Sequence, residues 1–200
     1  QPEAGRLGGR LQEVAILMAD IRGFTPMAER LSPEATIDIL NRYFSAIIPL
    51  VQEHRGIIVD FIGDAILAFF EPVDQSIEAT AHRCVQCAFD MQAAMERLNR
   101  ELVDIDLPVL RMGIGVHSGP VVVGNIGSQE RKKYGIVGAS VNITQRIQGE
   151  SGVGETVVSE PVIDKVRSRV SVVRSFSATL KGVSTQVKLY VVHPDEKPER

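Results

Sequence analysis

Only two cysteines occur in the chain, Cys84 and Cys87, three residues apart in a helix-like stretch with no second ligand pair. They cannot build a disulfide scaffold and read as buried helical thiols rather than as a metal or redox site, which fits a reducing, cytoplasmic setting. Charge of one sign is also lacking: the formal net charge is -3, with no basic block. Nothing in that distribution suits nucleic acid or an anionic membrane surface, so any anionic substrate must be met by local side chains. No apolar run reaches the roughly 20 residues of a membrane span, so no membrane contact by this domain is expected. Internal repeats and low-complexity tracts are missing as well. What is present, 200 residues of which 44% are hydrophobic and 24% charged, has the size and balance of one compact domain rather than two. The loose QPEAGRLGG start, without methionine, reads as a linker. The expected division is a linker over 1–12 from an upstream sensor or regulatory domain, a folded domain over 13–194 and a tail over 195–200.

Along the chain, Val14 to Ala19 reads as a buried strand that runs into a tight turn and presents Asp20 at its end. Ser32-Pro33-Glu34 caps a helix over about 33–54, and Ile37, Leu40, Phe44, Ile47, Ile48 and Val51 recur on its face. After His54-Arg55-Gly56 come two short apolar segments, Ile57 to Val59 and Ala65 to Phe70, separated by Ile62-Gly63-Asp64. That pattern is a hairpin with acids at its tip. A second long helix runs from Ser76 to about Leu102, where the Met and Cys stripe fills a core. Arg111 to Val116 and Val121 to Ile126 read as two strands joined by a turn at His117-Ser118-Gly119-Pro120, followed by a short strand at Tyr134 to Val137 and a helix at Val141 to Ile147. A short helix at about 160–167 and strands near 170–177 and at Val187 to Val192 close the chain. The order β-α-β-β-α-β with appended strands is that of an α+β, ferredoxin-like βαββαβ sandwich with one open sheet face.

Two acids stand at strand-to-turn positions beside glycines, Asp20 in DIRGFT and Asp64 in FIGDAILAFF. Hard divalent cations bound to triphosphates take one or two carboxylates plus phosphate oxygens and water, and such turns place carboxylates without burying them fully. Together with RMGIGVHSGPVVVGNIGS and YGIVGASVNITQRIQ, in that order, these blocks resemble the signature set of the class III adenylate and guanylate cyclases. The resemblance spans from about Val14 to the last strand. It implies a nucleotidyl cyclase catalytic domain, a phosphorus-oxygen lyase that uses two divalent cations, Mg²⁺ or Mn²⁺. Asp20 and Asp64 then match the metal aspartates, the carbonyl of Ile21 a backbone metal ligand, and Asn142 and Arg146 the pair that orients the ribose and stabilises the pentavalent phosphorus. Lys181 resembles a contact to the terminal phosphates, and Arg131 a second phosphate contact, although Arg131 and Lys132 read equally well as a solvated basic loop. His117, a conceivable general base, resembles instead a structural strand-end position of the family.

The departures from the family pattern concern the base. Adenylate cyclases of the family usually carry lysine three residues before the Gly-Asp pair and Asp or Thr after the aromatic of the YxxxG block, whereas this chain has Asp60 and Gly135. A carboxylate can accept from guanine N1-H and its 2-amino group, a donor pair that adenine lacks, which argues for GTP over ATP. By the same resemblance the metal aspartates of one domain face the base, ribose and phosphate residues of a second, so one chain carrying both sets implies a homodimer with two shared sites. Asp60 and Asp64 would then serve different sites. The competing readings are an adenylate cyclase, a catalytically weak regulatory nucleotide-binding module, and a diguanylate cyclase. The second is disfavoured by the presence of Asp20, Asp64, Asn142 and Arg146, and the third by the lack of a GGDEF-like turn.

Overall fold

A computed structural model describes residues 8–195. The first seven linker residues and all but the first residue of the tail lie outside the described residues. The elements are β1 (Gly8–Ile21), α1 (Phe24–Glu29), α2 (Pro33–Glu53), β2 (Ile57–Ile62), β3 (Ala65–Phe70), α3 (Ile77–Asp104), β4 (Met112–Gly127), β5 (Lys132–Val137), α4 (Ala139–Gly149), β6 (Thr156–Ser159), α5 (Glu160–Val166), β7 (Val170–Ala178) and β8 (Val187–Pro194).

The two long helices begin where their caps dictate. Ser32 Oγ accepts from Ala35 N at 3.1 Å with Pro33 at the first helical position, and Ser76 Oγ accepts from Ala79 N at 3.1 Å. Both helices pack on one face of a sheet ordered β2-β3-β1-β4-β6-β8-β7, with β5 also paired to β4. The subset β1, α2, β2, β3, α3, β4 is the ferredoxin-like unit, and β6, β8 and β7 extend it beyond β4. Period-two alternation divides the core. Ala15, Leu17 and Ala19 meet Ile39, Tyr43 and Ile47 of α2 and the Cys84–Leu98 stripe of α3, while Val14 and Ile16 point to the other face. Cys84 and Cys87 are buried free thiols on α3, and burial, with the Asp90 charge second, pushes the Cys87 thiol up to about 12.

Four expectations change. The second face of the sheet is covered, because β5 pairs with the far half of β4 and, with α4, lays Tyr134, Ile136 and Val141 over Val14, Ile16, Leu67 and Phe69. No turn occurs at His117–Pro120. β4 is a single strand paired with β1 from Gly8↔Asn125 to Ile21↔Met112, and this long ladder overrides the local Gly-Pro signal. Pro120 falls between the pairing of β4 with β6, which ends at Val116, and that with β5, which starts at Val122, so the second edge of β4 carries no ladder there. The same ladder extends β1 back to Gly8, so residues 8–12 are strand rather than linker. Finally, β6, paired parallel to β4, and the short α1 were not foreseen, being too brief to show a periodicity.

Candidate active site

Asp20 sits one residue from the end of β1, level with Gly113 of β4. Asp64 is the second residue of the two-residue turn between β2 and β3, whose first residue, Gly63, takes φ +62°, a conformation that costs glycine little. The two meet because the Ile21 N–H donates to Asp64 Oδ2 at 2.8 Å, docking the hairpin tip on the end of β1. Asp20 Oδ1 is buried with no hydrogen-bond partner, and Arg22 Nε, 3.7 Å away, is likewise unpartnered. Burial raises the Asp20 pKa; the Arg22 guanidinium and the Gln148 amide pull it down, and the Asp64 charge adds to the rise. A carboxylate oxygen without a hydrogen bond, next to a second carboxylate, is a donor set suited to a hard cation. Among the described residues no group of three or more His, Cys, Asp or Glu forms a closed metal cage.

Arg22 also ties this corner to α4, since its Nη2 donates to the Gln148 carbonyl and to Ser151 Oγ at the C-terminal end of that helix. The close approach requires Gly115, where a Cβ would lie 2.5 Å from the backbone nitrogen of Gln148. α4 therefore presents Ser140, Thr144, Ile147 and Gln148 inward. Asn142 and Arg146, one helical turn apart, are exposed, and Arg146 lies about 200° around the helix from Gln148. Among the described residues neither side chain makes a hydrogen bond or ion pair. Within one chain, then, Asp20 and Asp64 are brought together while Asn142 and Arg146 face away from them.

Lys181 is exposed in the β7–β8 turn beside Gly182, and its neighbour Leu180 packs in one cluster with Ile143 and Ile147 of α4. That turn is thus held against the helix that carries Asn142 and Arg146. Arg131 is exposed in the loop between β4 and β5, where its N–H donates to Ser128 Oγ at 3.1 Å. Asp60 lies on β2 and Gly135 on β5, strands that are not paired but meet over the second face of the sheet: a Cβ at Gly135 would lie 3.3 Å from Val59 Cγ1, and Asp60 Oδ1 accepts from the Phe61 N–H at 2.9 Å. Beside them is a residue that the sequence did not single out. Lys133 Nζ lies 3.4 Å from Asp60 Oδ1. The position of β5 is fixed by Tyr134, whose hydroxyl donates to Glu71 Oε1 at 2.5 Å while Arg10 donates to the same oxygen at 3.1 Å.

His117 is buried in mid-β4, four residues along the strand from the level of Asp20, with Nδ1 2.7 Å from Ser159 Oγ. Burial, aided by the Lys165 charge and opposed by Glu13, lowers its pKa to about 4. It stands apart from the carboxylates. Arg22, Gln148 and Lys133 also escaped sequence reasoning. Arg22 lay inside a quoted motif with no signal of its partner, Gln148 showed none, and Lys133 was one of three adjacent basic residues.

The profile of the adenylate and guanylate cyclase catalytic domain family matches residues 8–194. The solved structure of the guanylyl cyclase Cya2 is 38% identical, with a TM-score of 0.89 over 95% of this chain and 96% of that one. The adenylyl cyclase CyaB from P. aeruginosa is 27% identical, with a TM-score of 0.90 over 97% and 100%. Adenylate cyclase 1 of Rhizobium meliloti (strain 1021) is 32% identical over 195 residues, which are 95% of this chain and 29% of that protein. The chain spans about a third of the length of the curated relatives it matches.

Proposed function

Because the chain belongs to the adenylate and guanylate cyclase catalytic domain family, we propose that it converts GTP, in preference to ATP, into the 3′,5′-cyclic monophosphate and pyrophosphate. The observation that carries the preference is Asp60, an exposed carboxylate on β2 whose neighbour Val59 faces the side-chain-free Gly135 of β5, able to accept from guanine N1-H and the 2-amino group. The 38% identity to a guanylyl cyclase supports the same direction. ATP is the second reading, favoured by the 32% identity to a curated adenylate cyclase.

Asp20, Asp64 and the carbonyl of Ile21 would hold two divalent cations, Mg²⁺ or Mn²⁺, which lower the pKa of the 3′-hydroxyl and neutralise the triphosphate. The chain's own groups do the rest. Asn142 orients the ribose, so that the 3′-oxygen bonds to the α-phosphorus in line with departing pyrophosphate. Arg146 spans the charge that spreads over the equatorial oxygens, which its planar fork suits. Lys181 and Arg131 meet the terminal phosphates. Since Arg146 faces away from Asp20 in one chain, these roles require a second copy, and a homodimer builds two equivalent sites from opposite halves. The exposed apolar side chains of Ile62 at the hairpin tip, of Val122 and Ile126 on β4, and of Val137 on β5 support such a contact. In a longer parent protein an upstream sensor or regulatory domain would control how the two halves meet. The test is to incubate the purified chain with GTP or ATP and Mg²⁺ or Mn²⁺ and identify products by chromatography. Cyclic GMP as the faster product is expected; cyclic AMP as the faster one overturns the preference, and no cyclic product overturns the cyclase reading.

A further inference from the structure

We propose that Arg22 is a positioning residue through which the carboxylate corner of each active site supports the transition-state residue of the other; this rests on the shared-site reading above. Arg22 directly follows β1, and its Nε lies 3.7 Å from Asp20 Oδ1. The same guanidinium reaches the C-terminal end of α4, where Nη2 donates to the Gln148 carbonyl and to Ser151 Oγ. Ser151 Oγ in turn donates to the Gln148 carbonyl at 2.6 Å. Gln148 Nε2 donates at 3.3 Å to the carbonyl of Gly113, the β4 residue level with Asp20. Gly113 makes room for the link, since a Cβ there would collide with Ser151 Oγ and Arg22 Nε. The guanidinium is planar and rigid, so its two ends cannot move independently. With the Arg22 side chain only 24% exposed, these hydrogen bonds are made largely out of water, where they are stronger.

Arg146 lies two residues before Gln148 on α4, so a shift of that last turn carries Arg146 with it. Within one chain Arg146 faces away from Asp20, and in the dimer it serves the site whose carboxylates belong to the other copy. Arg22 therefore sits beside the acids of one site and holds the helix that acts in the other. If it served only to balance the charge of Asp20, its effect would stay in its own site. A mixed dimer separates the two roles.

The experiment uses mixed dimers of Asp64→Ala and Arg146→Ala chains, whose one intact site takes both carboxylates from the Arg146→Ala chain and Arg146 from the Asp64→Ala chain. Arg22→Met is added to the Asp64→Ala chain alone, so that Asp20, Arg22 and Asp64 of the intact site are all native. Per mixed dimer, counted by native mass spectrometry, kcat on the faster nucleotide should fall about tenfold or more while KM changes little, because a displaced Arg146 weakens the transition state. Ser151→Ala in the same chain keeps Arg22 and Asp20 in place and should give a smaller loss of the same kind; it decides alone where Arg22→Met forms no mixed dimer. Without metal or nucleotide, amide exchange over residues 147–151 should be faster in a chain carrying Arg22→Met alone than in the parent. An unchanged kcat in these variants overturns the proposal, as does unchanged amide exchange or a loss confined to KM. A mixture of Asp64→Ala and Arg146→Ala that stays inactive although mixed dimers form overturns the shared-site reading first, and that result is visible before Arg22 is touched.

Discussion

Asp20 combines two properties that pull against each other. Its buried Oδ1 accepts no hydrogen bond and is balanced in part by the Arg22 guanidinium 3.7 Å away, while burial still disfavours its ionised form, so a cation would satisfy it further. Asp20→Asn keeps the shape and removes the charge. The expected outcome is a variant that, without divalent metal, melts no lower than the parent in calorimetry, gains nothing when Mn²⁺ is added, and has lost about 100-fold or more of its cyclase rate. A variant that melts several degrees lower without metal would show that the Arg22 ion pair outweighs the burial of Asp20. Arg22 explains why the group is buried at all: its links to Gln148 and Ser151 draw the end of α4 over the end of β1.

At the scale of elements, β4 is the spine of the sheet, and His117 sits at its centre where β6 begins to diverge. A histidine lowered from 6.5 to about 4 by burial is held neutral in the fold, whereas the unfolded chain takes up a proton below about 6.5. The neutral form therefore contributes its full stability above pH 6.5, and that contribution is lost as pH falls toward 4. The size is roughly 3 kcal/mol if the whole shift is realised. Urea midpoints measured from pH 7 to pH 4.5 should fall less steeply in His117→Gln than in the parent. Parallel profiles would mean that other groups, not His117, set the acid sensitivity.

The whole molecule divides its chemistry between two surfaces. The carboxylates gather at the β1 end and the β2–β3 tip, while Asn142 and Arg146 face outward on α4, with the Lys181 turn packed against the same helix. Mixing two inactive variants, Asp64→Ala and Arg146→Ala, tests this division. With free exchange of equal amounts, half of the dimers are mixed and each has one intact site, so about a quarter of parental activity should return. If activity stays absent while mixed dimers are seen by native mass spectrometry, each site is built within one chain.

Local chemistry was enough to predict the cap at Ser32, the Gly63-Asp64 turn, the two long helices and the α+β order, because each rests on neighbouring residues or on a period of 2 or 3.6. The four motif blocks likewise carried Asp20, Asp64, Asn142 and Arg146 as candidates, and Asp60 as the reader of the base. Tertiary structure alone decided the rest. Pairing with β1 along its full length made β4 one strand through Gly119-Pro120, and the fold of β5 over the second sheet face set Lys133 against Asp60, 73 residues away in the chain. The turn of α4, fixed by Gln148 and Gly115 against β4, decided that Arg146 looks outward. Such outcomes depend on strand register and on the side of a helix that is buried, both set by the summed packing of distant segments, so no local pattern in the sequence records them.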